Sequence, residues 1–166
     1  VSGIDVYIHD PRRGWTFVAN IRPSGLQNEG RVILPPLGGG KRRFRVYLPL
    51  YNGVSKLELS GNEGMPLEPI APHREDNAIV VYGTSIAQGG CASRPGNAWP
   101  SMVGRDFGRS VINLGFSGSG RMETEVVELI GQLNPAVFVV DCLRNMSGFS
   151  EADLKMRVTR TAVLLS

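Results

Sequence analysis

The hydrophobic pattern of this 166-residue chain changes period near residue 77, and no single layer of structure accommodates both patterns. Residues 1–60 alternate apolar and polar side chains in Ile4-Asp5-Val6-Tyr7-Ile8, Trp15-Thr16-Phe17-Val18, Arg31-Val32-Ile33-Leu34, Phe44-Arg45-Val46-Tyr47-Leu48 and Val54-Ser55-Lys56-Leu57-Glu58-Leu59. Period two is the mark of a strand with one buried face. The runs are punctuated by Asp10-Pro11, Arg22-Pro23-Ser24-Gly25, the Pro35–Gly40 stretch and Tyr51-Asn52-Gly53, so an all-β unit of roughly five short strands in a sandwich pattern is predicted. Asn52-Gly53 suits a tight turn between the last two.

Residues 61–76 carry Pro66, Pro69 and Pro72 together with Asn62 and Gly64, and read as a linker. From residue 77 the apolar runs become short and continuous: Ala78–Tyr82, Ser110–Leu114 and Ala136–Val140, as expected of strands buried on both faces. Helical stretches lie between them. Asn97 is placed to cap a helix that buries Trp99, Val103 and Phe107 and ends at Gly108. Met122 to Leu133 sets Met122, Val126, Leu129, Ile130 and Leu133 on one stripe, with Glu123 and Glu125 near its amino end. A third helix opens at Ser150-Glu151-Ala152-Asp153, which has the form of a capping box. The resulting β-α-β-α-β-α order argues for a parallel sheet whose functional edge lies beyond the carboxyl ends of its strands.

Formal net charge is +3 and is evenly divided: residues 1–76 hold 10 basic and 8 acidic side chains, residues 77–166 hold 8 and 7. The one basic run, Lys41-Arg42-Arg43-Phe44-Arg45, alternates with apolar residues like the wet face of a strand, which argues against nucleic acid as a partner. Two cysteines, Cys91 and Cys142, are too few for a disulfide framework or a four-cysteine zinc site. No apolar run reaches the ~18 residues of a membrane span. The chain opens on Val1 inside a strand pattern and stops at Ser166 inside a helical one, so it reads as a piece of a longer protein.

The chemistry-bearing feature is Ile79-Val80-Val81-Tyr82-Gly83-Thr84-Ser85, an apolar strand running into a small-residue turn with one serine at its apex. Such a turn presents a nucleophilic hydroxyl; it is equally the form of a serine capping a helix. Context favours the nucleophile. Were the three apolar runs neighbouring parallel strands, the segments after them would meet on one edge: Gly83-Thr84-Ser85, the glycine-rich Gly115–Gly120 loop, and Asp141-Cys142-Leu143-Arg144-Asn145. These supply a hydroxyl, backbone N–H groups and a side-chain amide, the set that acyl transfer requires. A nucleotide-binding loop is the alternative, but its glycines are spaced Gly-x-x-Gly-x-Gly, the reverse of a dinucleotide fingerprint.

The Gly83-Thr84-Ser85 turn, the Asn113-Leu114-Gly115-Phe116-Ser117-Gly118 loop and the Asn145 loop resemble the first three sequence blocks of the SGNH, or GDSL-like, lipase and acylhydrolase superfamily. The longer text Tyr82–Gly96 is similar to a bacterial branch in which a β-sandwich precedes the hydrolase domain. Thr84 and Ile86 stand where the Gly-Asp-Ser-Leu block has other letters. The resemblance implies an N-terminal β-sandwich (1–60), a linker (61–76) and the first half of a flavodoxin-like α/β/α domain (77–166). It implies Ser85 as nucleophile and the Ser85 N–H, Gly118 N–H and Asn145 side chain as oxyanion hole, with no cofactor and no metal. It also implies an ester substrate, with an acetylated carbohydrate as first expectation, and a periplasmic or secreted setting rather than a cytoplasmic one. The superfamily's histidine base, with an aspartate three residues before it, has no counterpart after Ser85. The only histidines are His9 and His73, so these 166 residues alone are expected to be inactive.

The remaining candidates have plainer readings. Cys91 and Cys142 suit packing, Asp141 a supporting role at its strand end, and Trp15 and Trp99 the core. Arg94 and Arg144 are either solvated or placed to meet an anionic or sugar substrate. The β-unit is expected to be an accessory module that shapes the substrate cleft; a carbohydrate-binding module is the alternative, for which only Tyr51 stands as a loop aromatic.

Overall fold

The computed structural model describes residues 2–34, 40–70 and 78–166. Strands β1 (Ile4–Asp10), β2 (Gly14–Ile21) and β3 (Phe44–Tyr47) form an antiparallel sheet in the order β2-β1-β3. The β1–β2 turn is closed by the Asp10 carboxylate, which accepts the Arg12 and Arg13 N–H groups at 2.7 and 2.9 Å, and by Gly14 at φ +71°. Those two donors hold the Asp10 carboxyl below its ordinary range.

Two of the five expected strands do not form. Arg31–Leu34 and Val54–Leu59 have no ladder partner among the described residues. Ile33 is 83% exposed and Leu59 60%, so their alternation has no buried face to serve. A single three-stranded sheet therefore stands where a five-strand sandwich was expected. Residues 71–76 of the expected linker, with His73, lie outside the described residues, and residues 61–70 have no helix or strand.

The second half is a parallel sheet of β4 (Ile79–Gly83), β5 (Val111–Gly115) and β6 (Val137–Asp141), ordered β5-β4-β6. It is accompanied by α1 (Ser85–Gln88), α2 (Trp99–Asp106), α3 (Thr124–Ile130) and α4 (Glu151–Leu164). Every residue of β4 is buried, as a central strand covered on both faces must be. Its side chains divide by parity. Val80 and Tyr82 join Met122, Val127, Ile130, Cys142 and Met146, with Leu154 of α4 against them, while Ile79 and Val81 join Ala87, Trp99 and Val103. The sheet is thus layered between α3 with α4 and α1 with α2, the mixed α/β architecture expected.

Helix boundaries moved in instructive ways. Asn97 lies in a short 3₁₀ turn and does not cap α2; its amide donates to Ser93 Oγ at 3.0 Å. Phe107 is 71% exposed rather than buried. α3 begins only at Thr124, because Met122 sits at φ +55° and turns the chain into the helix; Val127 takes the buried place expected of Leu129, which is 65% exposed. Ser150 caps α4 as read, accepting the Asp153 N–H at 3.2 Å.

A polar and aromatic seam joins the two sheets. Asp5, fully buried, accepts from Asn20 Nδ2 at 2.7 Å and from the Gly96 N–H at 2.8 Å, and the Arg94 guanidinium lies 3.3 Å from its second oxygen. Arg94 also stacks 4.0 Å over Phe17. Arg105 donates to the Gly96 carbonyl at 2.6 Å and lies 4.4 Å from the Tyr7 ring centre and 5.3 Å from that of Tyr47. Arg94, though 29% exposed, is therefore engaged with Asp5 and Phe17 as a fastening between the halves.

Candidate active site

β4 lies between β5 and β6, so the chain leaves the sheet in opposite directions on its two crossovers. The crevice at the carboxyl end of β4 is the topological switch point of the sheet, where open α/β folds place their ligands. Ser85 is the first helical residue beyond that end. The three strand ends are level: Gly83 is in register with Gly115 on one side and with Asp141 on the other. The Thr84 N–H donates to the Asp141 carbonyl at 3.2 Å and the Phe116 N–H to the Gly83 carbonyl at 2.9 Å. Asp141 therefore supports the turn through its backbone.

Thr84, not Ser85, is the cap of α1. It is buried, its backbone is extended, and its Oγ1 accepts the Ile86 N–H at 3.3 Å. The capping role is thus filled by Thr84, and the Ser85 hydroxyl has no partner among the described residues. Ser85 is partly exposed. Its N–H, at the first helical position, has no intrahelical acceptor and none elsewhere among the described residues. The side chain at position 84 thus has structural work despite its departure from the family's letters.

The glycine-rich loop is held against this turn by close backbone approach. A Cβ on Gly115 would enter the Gln88 backbone of α1, and one on Gly120, at φ +64°, would strike the Gly83 carbonyl. Asn113 reinforces the approach, donating to the Ala87 carbonyl at 2.9 Å and accepting the Gly115 N–H at 2.9 Å. Gln88 accepts the Ser117 N–H at 2.9 Å and donates to the Leu50 carbonyl at 3.0 Å, so one side chain joins the loop to the amino-terminal half. Gly118 stands apart: it is exposed, at φ +72°, with open space where a Cβ would be. Its carbonyl accepts from Arg121 at 2.9 Å, and its N–H has no acceptor among the described residues.

Asn145, in a 3₁₀ turn after β6, closes the edge. Its Nδ2 donates to the Phe116 carbonyl at 3.4 Å and to the Ser119 carbonyl, tying the third strand end to the glycine-rich loop. Ser85, Gly118 and Asn145 are thereby gathered on one edge, as their positions in the sequence suggested.

Beneath the edge, the Tyr82 hydroxyl donates to the Glu123 carboxylate, whose other neighbours include the Arg121 N–H at 2.7 Å. Burial, then the bond and charge of Glu123, push the Tyr82 phenol far above its ordinary value; Glu123 is raised by burial but lowered more by its donors, and ends below its ordinary value. Cys142 is buried, with Sγ 3.6 Å from the Tyr82 carbonyl, and burial pushes its thiol up to about 11, which leaves it an inert packing group. Cys91 is exposed.

His9 is far from this edge in the topology. Its N–H donates to the Arg43 carbonyl at 2.9 Å, and its ring packs against Trp15 at 5.2 Å, near the amino end of β5. Trp15 itself is only partly buried and lies under Arg45, contrary to the core position expected; Trp99 is packed in the core as expected.

Sequence reading missed Asp5, Tyr7 and Gln88. The first two look like ordinary alternating strand residues, and Gln88 like an exposed helix residue. Tyr51 was seen as a loop aromatic, but its hydroxyl lies beside Gly90, next to the Ser85 turn.

The edge thus presents a serine, unpartnered among the described residues, at the switch point of a layered α/β sheet, beside a glycine-rich loop and a side-chain amide. Residues 76–166 match the GDSL-like Lipase/Acylhydrolase family, and the chain belongs to that family. Residues 1–66 match a model described as the N-terminus of Esterase_SGNH_hydro-type, named GxDLY; Gly3-Ile4-Asp5-Val6-Tyr7 fits those letters except for the leucine. Among solved structures, a chain described as a GDSL-like lipase from Bacteroides ovatus ATCC 8483 is 34% identical, with TM-score 0.77 over 99% of this chain and 47% of that one. The salicylyl-acyltransferase SsfX3 of a tetracycline biosynthetic pathway shares the fold at 18% identity and TM-score 0.66, over 99% of this chain and 48% of that one. This chain therefore spans about half the length of both. No curated protein matches it.

Proposed function

We propose that Ser85 is the nucleophile of a serine esterase that forms an acyl-enzyme on ester-linked acyl groups, with acetylated carbohydrate as the preferred class. The observation that carries this reading is the Ser85 turn itself: Thr84 fills the cap, leaving the Ser85 hydroxyl and N–H both unpartnered among the described residues at the switch point. The hydroxyl attacks the ester carbonyl, its proton passing to a base. The carbonyl oxygen becomes an oxyanion held by the Ser85 N–H, the Gly118 N–H and one Asn145 Nδ2–H. Asn145 joins only by releasing a loop carbonyl, so its donor is exchanged between ground and transition states. Collapse expels the alcohol, and water then frees the acid and restores Ser85.

The base is taken to come from a part of the protein outside these 166 residues, with His73 of the linker as the alternative; among the described residues His9 is the one histidine and it stands away from the serine edge, and the chain spans 47% of the GDSL-like lipase chain. The amino-terminal module shapes the cleft: Leu50 accepts from Gln88, and Tyr51 lies against Gly90. A periplasmic or secreted setting suits such a substrate. Two loop N–H groups, of Ser117 and Ser119, already have acceptors within the protein, which weighs against the phosphate-cradle alternative.

Hydrolysis of 4-nitrophenyl acetate and of acetylated xylan by the full-length gene product tests the reading. Ser85→Ala is expected to lower kcat by about 10⁴-fold or more, and Asn145→Ala by roughly a hundredfold. The 166-residue chain alone is expected to be inactive. Equal rates for wild type and Ser85→Ala would remove Ser85 as nucleophile.

A further inference from the structure

We infer that the cleft between the amino-terminal sheet and the end of α2 is a binding site for a small oligoanion, a molecule bearing two or more carboxylate, sulfate or phosphate groups. The cleft has a volume of about 500 Å³, within the range of small-molecule sites. Arg13, Arg43, Arg45, Arg105, Trp15 and Phe107 line it, drawn from the β1–β2 turn, β2, the entry to β3 and β3 itself, and α2 with its following turn. Because α2 leads into the amino end of β5, this cleft lies at the opposite edge of the parallel sheet from Ser85 and is distinct from the esterase site.

The charge arrangement favours an anionic occupant. Arg43 and Arg45, two apart in the chain and hence on one face of the extended backbone, both approach the Trp15 ring, at 6.0 and 4.4 Å from its centre. Arg13 has the Asp10 carboxylate nearby in its turn, but Arg43, Arg45 and Arg105 are not ion-paired to a carboxylate among the described residues, and Asp106 is the one acid in the lining. Arg105 is engaged with Gly96, Tyr7 and Tyr47, so it contributes charge, while Arg13, Arg43 and Arg45 keep N–H groups for a ligand. Like charges gathered in a concave space repel one another, and an anion bridging them removes that repulsion and gains charge-assisted hydrogen bonds. Trp15 and Phe107 add apolar contact for a flat or ring-shaped carrier of those charges.

Isothermal titration of the full-length gene product with pyrophosphate, digalacturonate and a sulfated disaccharide tests this. At least one is expected to bind saturably at a single site, to perturb tryptophan emission through Trp15, and to weaken as salt rises. The preferred probe separates a phosphate source from an acidic sugar. Arg43→Gln with Arg45→Gln is expected to weaken binding by about tenfold or more, whereas Lys56→Gln, at an exposed lysine elsewhere, leaves it unchanged. Where circular dichroism shows the double variant unfolded, Phe107→Glu, on an exposed wall, serves instead with the same expected loss. Absence of saturable binding by all three probes, binding untouched by the cleft variants, or equal weakening by Lys56→Gln would overturn the assignment.

Discussion

Replacing Asp5 by asparagine is the sharpest probe of how the two halves are joined. The carboxylate is fully buried and accepts two hydrogen bonds, from Asn20 Nδ2 at 2.7 Å and the Gly96 N–H at 2.8 Å, with Arg94 at 3.3 Å. An amide fits the space but presents its own N–H₂ to one of those donors. One bond is lost, one donor is left buried and unmatched, and Arg94 loses its counter-charge. A hydrogen bond to a charged acceptor contributes about 1.5–3 kcal/mol, and breaking a buried pair costs about 3–5. Arg94 remains 29% exposed and stacked on Phe17, so water and the ring offset part of the loss, and about 3 kcal/mol is expected. Urea denaturation gives this value, and a cycle with Arg94→Gln gives the coupling between the two. A loss below about 0.5 kcal/mol would refute the claim that Asp5 fastens the halves; loss in an early, separate transition would show that they unfold independently.

Two glycines of the same loop should respond differently to alanine. Gly118→Ala meets open space and only the left-handed backbone penalty, about 1–2 kcal/mol, whereas Gly120→Ala adds a collision with the Gly83 carbonyl and should cost about 3 or more; thermal melts of both variants compare them, and equal losses would contradict the packing described. The Tyr82–Glu123 pair sets a pH dependence. Glu123 is lowered in the fold, so its contribution is present above the ordinary glutamate range and fades as pH falls through the lowered value, while Tyr82 is raised, so its contribution fades as pH climbs past the ordinary tyrosine range. Glu123→Gln should flatten the acid limb of stability against pH, and an unchanged limb would exclude the pair as its source.

The parallel half was legible because a strand buried on both faces writes itself as a continuous apolar run: Ala78–Tyr82 differs from β4 by one residue at each end. The gathering of Ser85, Gly118 and Asn145 followed from β-α-β order alone. Strand order within the sheet was not legible, since nothing in β5 or β6 says which side of β4 it takes. The amino-terminal half was over-read, because period two records a capacity for one-sided burial and not the presence of a partner, as Ile33 and Leu59 show. The seam was invisible for a different reason. Asp5 and Gly96 are distant in sequence, and a lone acid in a strand looks like any solvent-facing residue until its donors are in place.

The position of β4 has a consequence for how the serine edge comes into being. β4 is the first strand of its sheet to be made but the middle one in space, so it cannot be held on both sides until β6, with Val137 opposite Ile79, has been synthesised. The bond from Thr84 to the Asp141 carbonyl, which steadies the serine turn, closes only then. Ser85 thus leaves the ribosome well before the strand that fixes its direction, and a growing chain that stops short of β6 carries the serine without the edge that aims it.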